Sequence, residues 1–380
     1  MNSLQNQIAI CTFLCVCALQ ITIPVVSPLF KELGFSASQT GFAIGAGGVT
    51  AMLSAVFWGK ASDRFGRKII ITIGLFGAAL TAMLHFWAFF VGTFVLLLLS
   101  RALVTSFLPA IQSSSFAYMA DITSEAERPA GMAKIGIAMG LGMVLGPAIG
   151  GVLASIFGLY SPLFACVVML FLGGIFALFK MADQRAPKAL EQELGVQKVF
   201  SLRLFAYLLL ALFCISTAIA LQIVLAFYLQ DIFRQNIEQS AKHSALCFAI
   251  SGVFLILAQA LQSLKLQLSP KPLLLISGCM VSLALLGILL SPSSMLLLPA
   301  FAVLGAGSGL GMIGMNAGAS LCVGASGQGL VAALVNMNVS LAAIIAPFIG
   351  PLIYDYDPKA LFIALFCCVF GSTLFFSRLA

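Results

Sequence analysis

Twelve runs of predominantly apolar residues follow one another along this chain, at approximately 8–30, 39–59, 69–91, 94–118, 131–155, 161–180, 204–229, 243–264, 272–290, 295–318, 329–353 and 359–378. A helix of about 20 apolar residues crosses the hydrocarbon core of a bilayer. Within that core every backbone N–H and C=O must be paired internally, which leaves the helix as the natural form for such runs. The pattern therefore predicts an all-α integral membrane protein with twelve transmembrane helices. Composition agrees: 61% of the residues are hydrophobic and 8% are charged, against about 45–50% and about 25% in soluble domains. Met1 to Gln7 carry no Lys or Arg, so the first run reads as a retained helix rather than a signal peptide.

Lys and Arg set the orientation, because basic residues accumulate on the cytoplasmic side. With a cytoplasmic N-terminus and alternating spans, fourteen of the nineteen basic residues fall inside and four outside, with Arg101 left within the fourth span. Both termini are then cytoplasmic, and the net charge of +7 is a topology signal rather than a nucleic-acid footprint. Nine of the ten Cys lie in apolar runs and Cys322 lies between two of them, with no convergent cluster of Cys, acids and His85 or His243. A metal site needs convergent His, Cys or acidic ligands, so no metal or other cofactor is expected. The spans hold no His or acid cluster of the kind an intramembrane enzyme would need, and the loops leave no room for a receptor domain.

The one long polar stretch, residues 182–203, divides the spans six and six, giving an N-terminal half at 1–181 and a C-terminal half at 204–380. Gly146-Pro147-Ala148-Ile149-Gly150-Gly151 in the fifth span parallels Ala346-Pro347-Phe348-Ile349-Gly350-Pro351 in the eleventh, which supports an internal duplication. Transporters built from two repeats hold their substrate near the bilayer midplane, between the repeats.

Residues 59–68, Gly-Lys-Ala-Ser-Asp-Arg-Phe-Gly-Arg-Lys, place four bases, one acid and two glycines between the second and third runs. They read as a tight cytoplasmic loop in which Gly59 and Gly66 permit turns and close backbone approach. The lone carboxylate, Asp63, suits the exposed N–H groups at a helix N-terminus, and the expected one is that of the eleventh span near Gly329. In the fifth span Gly142, Gly146 and Gly150 recur every four residues. Small faces let membrane helices approach closely, and Pro147 should bend the helix, so a kinked helix at the boundary of the halves is expected.

These residues resemble the major facilitator superfamily, and within it the twelve-span drug/proton antiporters. Gly59, Asp63, Arg64, Gly66, Arg67 and Lys68 match the superfamily's loop signature, with Ala61 in place of its Leu. Gly142, Gly146, Pro147, Gly150 and Gly151 match the antiporter signature of the fifth span. The fourth-span signature is matched at Arg101 but has Thr105 where the family has Gly. The resemblance implies a pairing of Arg67 with an acid at the end of the fourth span, where Asp121 stands. The resulting expectation is a cytoplasmic latch closed in the outward-facing state, with Asp63 toward the eleventh span and Arg67 on Asp121. The resemblance associates the fifth-span motif with export.

Arg101 is the one strong charge deep in a span, at an insertion cost of about 2.5–3.5 kcal/mol, so it should face a cavity or a polar partner. None of the twelve acids lies in the middle of a span. A buried cation without a buried acid favours a neutral or anionic substrate over a lipophilic cation. Proton coupling, if carried by this chain, falls to Asp63, Asp121, Asp231, a histidine or the substrate itself. Gln20, Gln112, Gln222 and Asn316 lie in the first, fourth, seventh and tenth spans, which the resemblance places around a central cavity, and Asn336 and Asn338 add polarity to the eleventh. The expected protein is a monomeric secondary active exporter of a small organic molecule, proton-driven, in the inner (plasma) membrane. The alternative is an importer of a carboxylate or siderophore-like metabolite.

Overall fold

The structure is a computed structural model that describes residues 2–124, 127–182, 201–262, 268–322 and 328–379. The described residues form fourteen α-helices: α1 (Asn2–Ile21), α2 (Ile23–Glu32), α3 (Ala37–Phe65), α4 (Arg67–Val91), α5 (Phe94–Ser106), α6 (Leu108–Ile122), α7 (Arg128–Phe157), α8 (Ser161–Lys180), α9 (Leu202–Asp231), α10 (Ile237–Leu261), α11 (Pro270–Leu289), α12 (Leu297–Leu321), α13 (Gln328–Tyr356) and α14 (Pro358–Leu379). They supply twelve segments long and apolar enough to cross a membrane. Large apolar side chains such as Leu80, Phe90, Phe179 and Leu283 are more than half exposed, the condition of residues whose solvent is lipid. Most of the 182–203 stretch lies outside the described residues.

Two spans are broken where the sequence suggests continuous helices. The first divides into α1 and α2 at Thr22, because Pro24 has no N–H to give the carbonyl of Gln20. The Thr22 hydroxyl turns back to donate to the carbonyl of Leu19 at 2.7 Å. The fourth span divides into α5 and α6 at Phe107, two residues before Pro109. Pro109 has no N–H for the Thr105 carbonyl, and the third helix of the chain donates to carbonyls on either side of it. Trp58 Nε1 donates to the carbonyl of Ser106 at 2.7 Å, and the Thr50 hydroxyl donates to the carbonyl of Ala102 at 2.8 Å. In hydrocarbon an unpaired carbonyl finds no water, so such side-chain donors are what make a broken span tolerable.

The chain groups into two compact units, Met1–Phe35 with Phe42–Gln192 and Ile237–Ala245, and Ser36–Gly41 with Glu193–Asn236 and Leu246–Ala380. In the first, α1 packs on α7 and α8, and α4 packs on α5, α6 and α8. Glycines set the approach. A methyl at Gly142 would lie 2.9 Å from the Cys17 nitrogen, and methyls at Gly146 and Gly150 would overlap Gln20 and the Ile21 carbonyl. The face of α7 that carries Gly142, Gly146 and Gly150 thus packs on α1, across its break, while Gly151 lies against Ala245 of α10. Pro147 lies inside α7 without interrupting it. On α4, Gly74 faces Ala110 and Ile111, and Gly77 faces the Phe107 ring, so the break in the fourth span also rests on small residues.

In the second unit α9 packs on α13, α14 and α12, and α11 packs on α12 and α14. The first residues of α3 belong to this unit. Gly41 lies directly against Pro347 and Pro351 of α13. The Asp355 carboxylate accepts from the N–H groups of Ala37 at 3.2 Å and Ser38 at 2.9 Å. Ser36 and Gln39 complete the start of α3 with a reciprocal box, Ser36 N–H to Gln39 Oε1 at 2.9 Å and Gln39 N–H to Ser36 Oγ at 3.3 Å.

Two stability outcomes follow from the broken spans. Gly150→Ala forces a methyl onto the Ile21 backbone and is expected to lower the melting temperature of detergent-solubilised protein, in line with an overpacking cost of about 1–3 kcal/mol. Gly140→Ala, where a methyl meets nothing within 4 Å, is expected to hold or raise it. Trp58→Phe keeps an aromatic ring but strips the Ser106 carbonyl of its indole donor, and the same melt should register about 1–3 kcal/mol for the orphaned acceptor.

Candidate functional site

The basic stretch is not a loop. α3 continues through Phe65, and a single residue, Gly66, joins it to α4 at Arg67. Gly66 has φ +100°, a conformation in which a side chain is strained, so glycine is required there. Gly59 is different: a methyl on it would meet nothing within 4 Å, and the close approach expected of it is not present among the described residues. Gly59, Lys60, Asp63 and Arg64 therefore ride on the last turns of a helix. Arg64 extends over the ring of Phe65 at 5.3 Å, and Lys68 is half-buried on the first turn of α4.

Arg67 is the organising residue at this joint. Its side chain is 10% exposed, and its Nε donates to Asp121 Oδ2 at 2.9 Å. Its Nη1 donates to Asp63, one helical turn away, and to Ser62 Oγ at 3.2 Å. One guanidinium thus joins the end of α3, the start of α4 and the end of α6, using the fork geometry that suits arginine to two carboxylates. Asp121 is 19% exposed and Asp63 is 61% exposed at the side chain, so the first carboxylate is enclosed and the second remains accessible.

A second polar cluster lies inside the first unit. Arg101 on α5 has an enclosed Nε with no hydrogen-bond partner, and no acid pairs with it among the described residues. The groups that bear on it electrostatically are His85 on α4 and Cys166 on α8. His85 is 5% exposed. Its Nδ1 lies 2.8 Å from Ser100 Oγ, its ring stands edge-on to Phe89 with centroids 5.1 Å apart, and its Nε2 is enclosed without a partner. Thr105, which replaces the antiporter glycine, is accommodated by a glycine on the neighbouring helix. A methyl at Gly47 would lie 2.9 Å from Thr105 Oγ1.

The amides divide. Gln20, Gln112 and Gln222 are half-buried. Asn316 is exposed and donates to the Met312 carbonyl of its own helix at 2.7 Å. Asn338 is buried and donates to the Leu208 carbonyl of α9 at 3.1 Å, so it bridges helices and does not line a path. The side chain of Asn336 lies outside the described ones.

The residues that sequence reasoning missed are those acting on backbone or on each other across helices. Trp58 and Thr50 serve the break in the fourth span, and Asp355 serves the start of α3. Tyr354 donates from its hydroxyl to Asp231 Oδ2 at 2.9 Å. Pro109 was the available signal for the first pair, since a proline within an apolar run marks a carbonyl that needs another donor.

Comparison with known proteins places these features. The family model described as Major Facilitator Superfamily matches residues 8–347. Multidrug resistance protein 1 of Bacillus subtilis is 30% identical over 196 residues, covering 51% of this chain and 49% of that protein. Multidrug resistance protein MdtG of Proteus mirabilis is 26% identical over 255 residues, covering 63% and 61%. The chain thus spans about half to three-fifths of the length of these relatives. Among solved structures, a bacterial homologue of the human lysosomal transporter Spinster, inward-facing and occupied, superposes with a TM-score of 0.78 at 13% identity, covering 98% and 95% of the two chains. The nucleoside transporter NupG superposes with a TM-score of 0.75 at 16% identity, covering 100% and 99%. With a multi-pass helical fold and a family match over most of its length, this chain belongs to the Major Facilitator Superfamily.

Proposed function

We propose that this protein is a secondary active exporter of a small neutral or anionic organic molecule, driven by protons and working by alternating access of two six-helix halves, 1–181 and 204–380. The carrying observation is the guanidinium of Arg101, held in a membrane span with its Nε unpaired and no acid against it among the described residues. A cation so placed is costly unless it meets a cavity or an anion, and it disfavours a cationic cargo. The drug-efflux relatives support export. In this reading Gln20, Gln112, Gln222 and Asn316 border the path with Arg101, and the protein lies in the inner (plasma) membrane as a monomer with both termini cytoplasmic.

The joint at Gly66 serves in the same reading as the cytoplasmic latch. Arg67 on Asp121 holds the first half's end of it together, and Asp63, which also pairs with Arg67 but stays 61% exposed, is the acid that would engage the eleventh span. Import of a carboxylate is the competing direction, and the same Arg101 would serve it.

The test is efflux of dyes, neutral drugs and organic anions from cells expressing the wild type or Arg101→Ala, with and without a protonophore. Neutral or anionic compounds should leave in a protonophore-sensitive manner, and Arg101→Ala should cut that efflux at least tenfold. Accumulation of an anion in place of efflux would establish the importer. Asp63→Asn should insert at wild-type levels, measured by membrane fractionation, yet lose at least tenfold in transport; unchanged transport would remove the latch.

A further inference from the structure

Two contacts of Ser100 bear on which nitrogen of His85 is available. Ser100 Oγ lies 3.1 Å from the Leu97 carbonyl, to which it donates. A hydroxyl carries one hydrogen, so keeping both contacts at once requires Ser100 to accept from Nδ1–H of His85, 2.8 Å away. The neutral ring then bears its proton on Nδ1, and Nε2 is a bare acceptor. That atom is enclosed and has no partner. A buried acceptor left unpaired costs about 1–3 kcal/mol, and native structures retain such groups where something else binds.

The residue after Ser100, whose hydroxyl meets this ring, is a donor. Arg101 follows Ser100 on α5 and is the one charged group that bears on the imidazole; Cys166 of α8 bears on Arg101 in turn, and no acid among the described residues bears on either. An acceptor and an arginine fork, both unpaired, sit in the interior of one unit. Neither answers the other, since two protein groups of this kind would pair directly only if the fork were turned onto Nε2.

We propose that His85 Nε2 is a cargo-recognition atom on this carrier, and that a proton and the cargo exclude one another there. The cargo group that fits is uncharged, with a hydrogen-bond acceptor for Arg101 and a donor for Nε2 on neighbouring atoms. A primary amide or an undissociated carboxylic acid has this form. A proton on Nε2 turns the acceptor into a donor and adds a second positive charge beside Arg101, so the ring no longer holds the cargo. Proton entry from one side and cargo release to that side become one event, which is exchange in the direction of export. Nε2 is enclosed in this conformation, and α5, which holds Ser100 and Arg101, is separated from α6 by the break at Phe107. The inference rests on the exporter reading for its cargo but not for its ring chemistry.

Two measurements test it separately. The chain has two histidines, so nitrogen-15 NMR of histidine-labelled His243→Asn protein in lipid nanodiscs reports His85 alone. The Nδ1-protonated tautomer with a bare Nε2 is expected at pH 8. An Nε2-protonated tautomer, or a ring already charged at that pH, overturns the proposal whatever the protein transports. In proteoliposomes carrying a compound recovered from the efflux panel, an imposed proton gradient should accelerate wild-type transport at least tenfold, and protein with His85→Gln, inserted at wild-type levels, should lose that acceleration. Acceleration that survives in His85→Gln overturns the proposal. Should His85→Gln fail to insert, Ser100→Ala retains the imidazole and releases the tautomer, and undiminished acceleration in that variant overturns it equally. A wild type that moves none of the panel fails the exporter reading, and the NMR result then decides the ring chemistry alone.

Discussion

A carbonyl that loses its helical partner inside hydrocarbon must find another donor in the protein, because no water is there to replace it. That requirement organises the first unit. Pro24 and Pro109 each interrupt a span, and hydroxyl or indole donors serve carbonyls beside each interruption: Thr22 within its own span, Thr50 and Trp58 from α3. The repair at Phe107 ties α3 to the fourth span one to two turns from Arg101. The same stretch of backbone thus fixes both the break and the orientation of the segment carrying Ser100 and Arg101.

Breaks of this kind change the shape of a helix, and the neighbouring helix must match. α7 supplies Gly142, Gly146 and Gly150 against the discontinuity of the first span, and α4 supplies Gly74 and Gly77 against that of the fourth. Small residues substitute here for the hydrophobic driving force that is absent between helices in lipid. Close approach lets dispersion contacts accumulate along the backbones themselves. The glycine signature of the fifth span is therefore a packing requirement of the first span, whatever else it serves in transport.

Much of this architecture was legible. Twelve apolar runs read as twelve spans because a transmembrane helix needs length and hydrophobicity and little else, and these survive in a single sequence. The proximity of Arg67 and Asp121 was visible through family resemblance. The stretch from Gly59 to Lys68 was misread as a loop because its charge was taken for solvent-exposed irregular chain; Lys, Arg and Asp continue a helix readily once it leaves the bilayer, and only Gly66 interrupts it. The glycine face was identified without its neighbour on α1, since spacing on one helix does not name the helix opposite. Asn338 looked like Asn316 in sequence, yet one is buried against Leu208 and the other is exposed. His85 was invisible as a site because its partner, Ser100, lies on the next helix and no periodicity links the two.

The start of α3 admits a complete count of its four leading N–H groups, the ones a helix cannot satisfy by itself. Ser36 and Gln39 are satisfied by each other's side chains, within four residues of chain. Ala37 and Ser38 are satisfied by Asp355, more than 300 residues away. Half of the helix start is thus secured locally and half by tertiary structure. The amides of Ala37 and Ser38 are shielded from solvent exchange only while α13 is in place, whereas those of Ser36 and Gln39 answer to local fraying alone. Within a single turn, adjacent amides report on events of entirely different range.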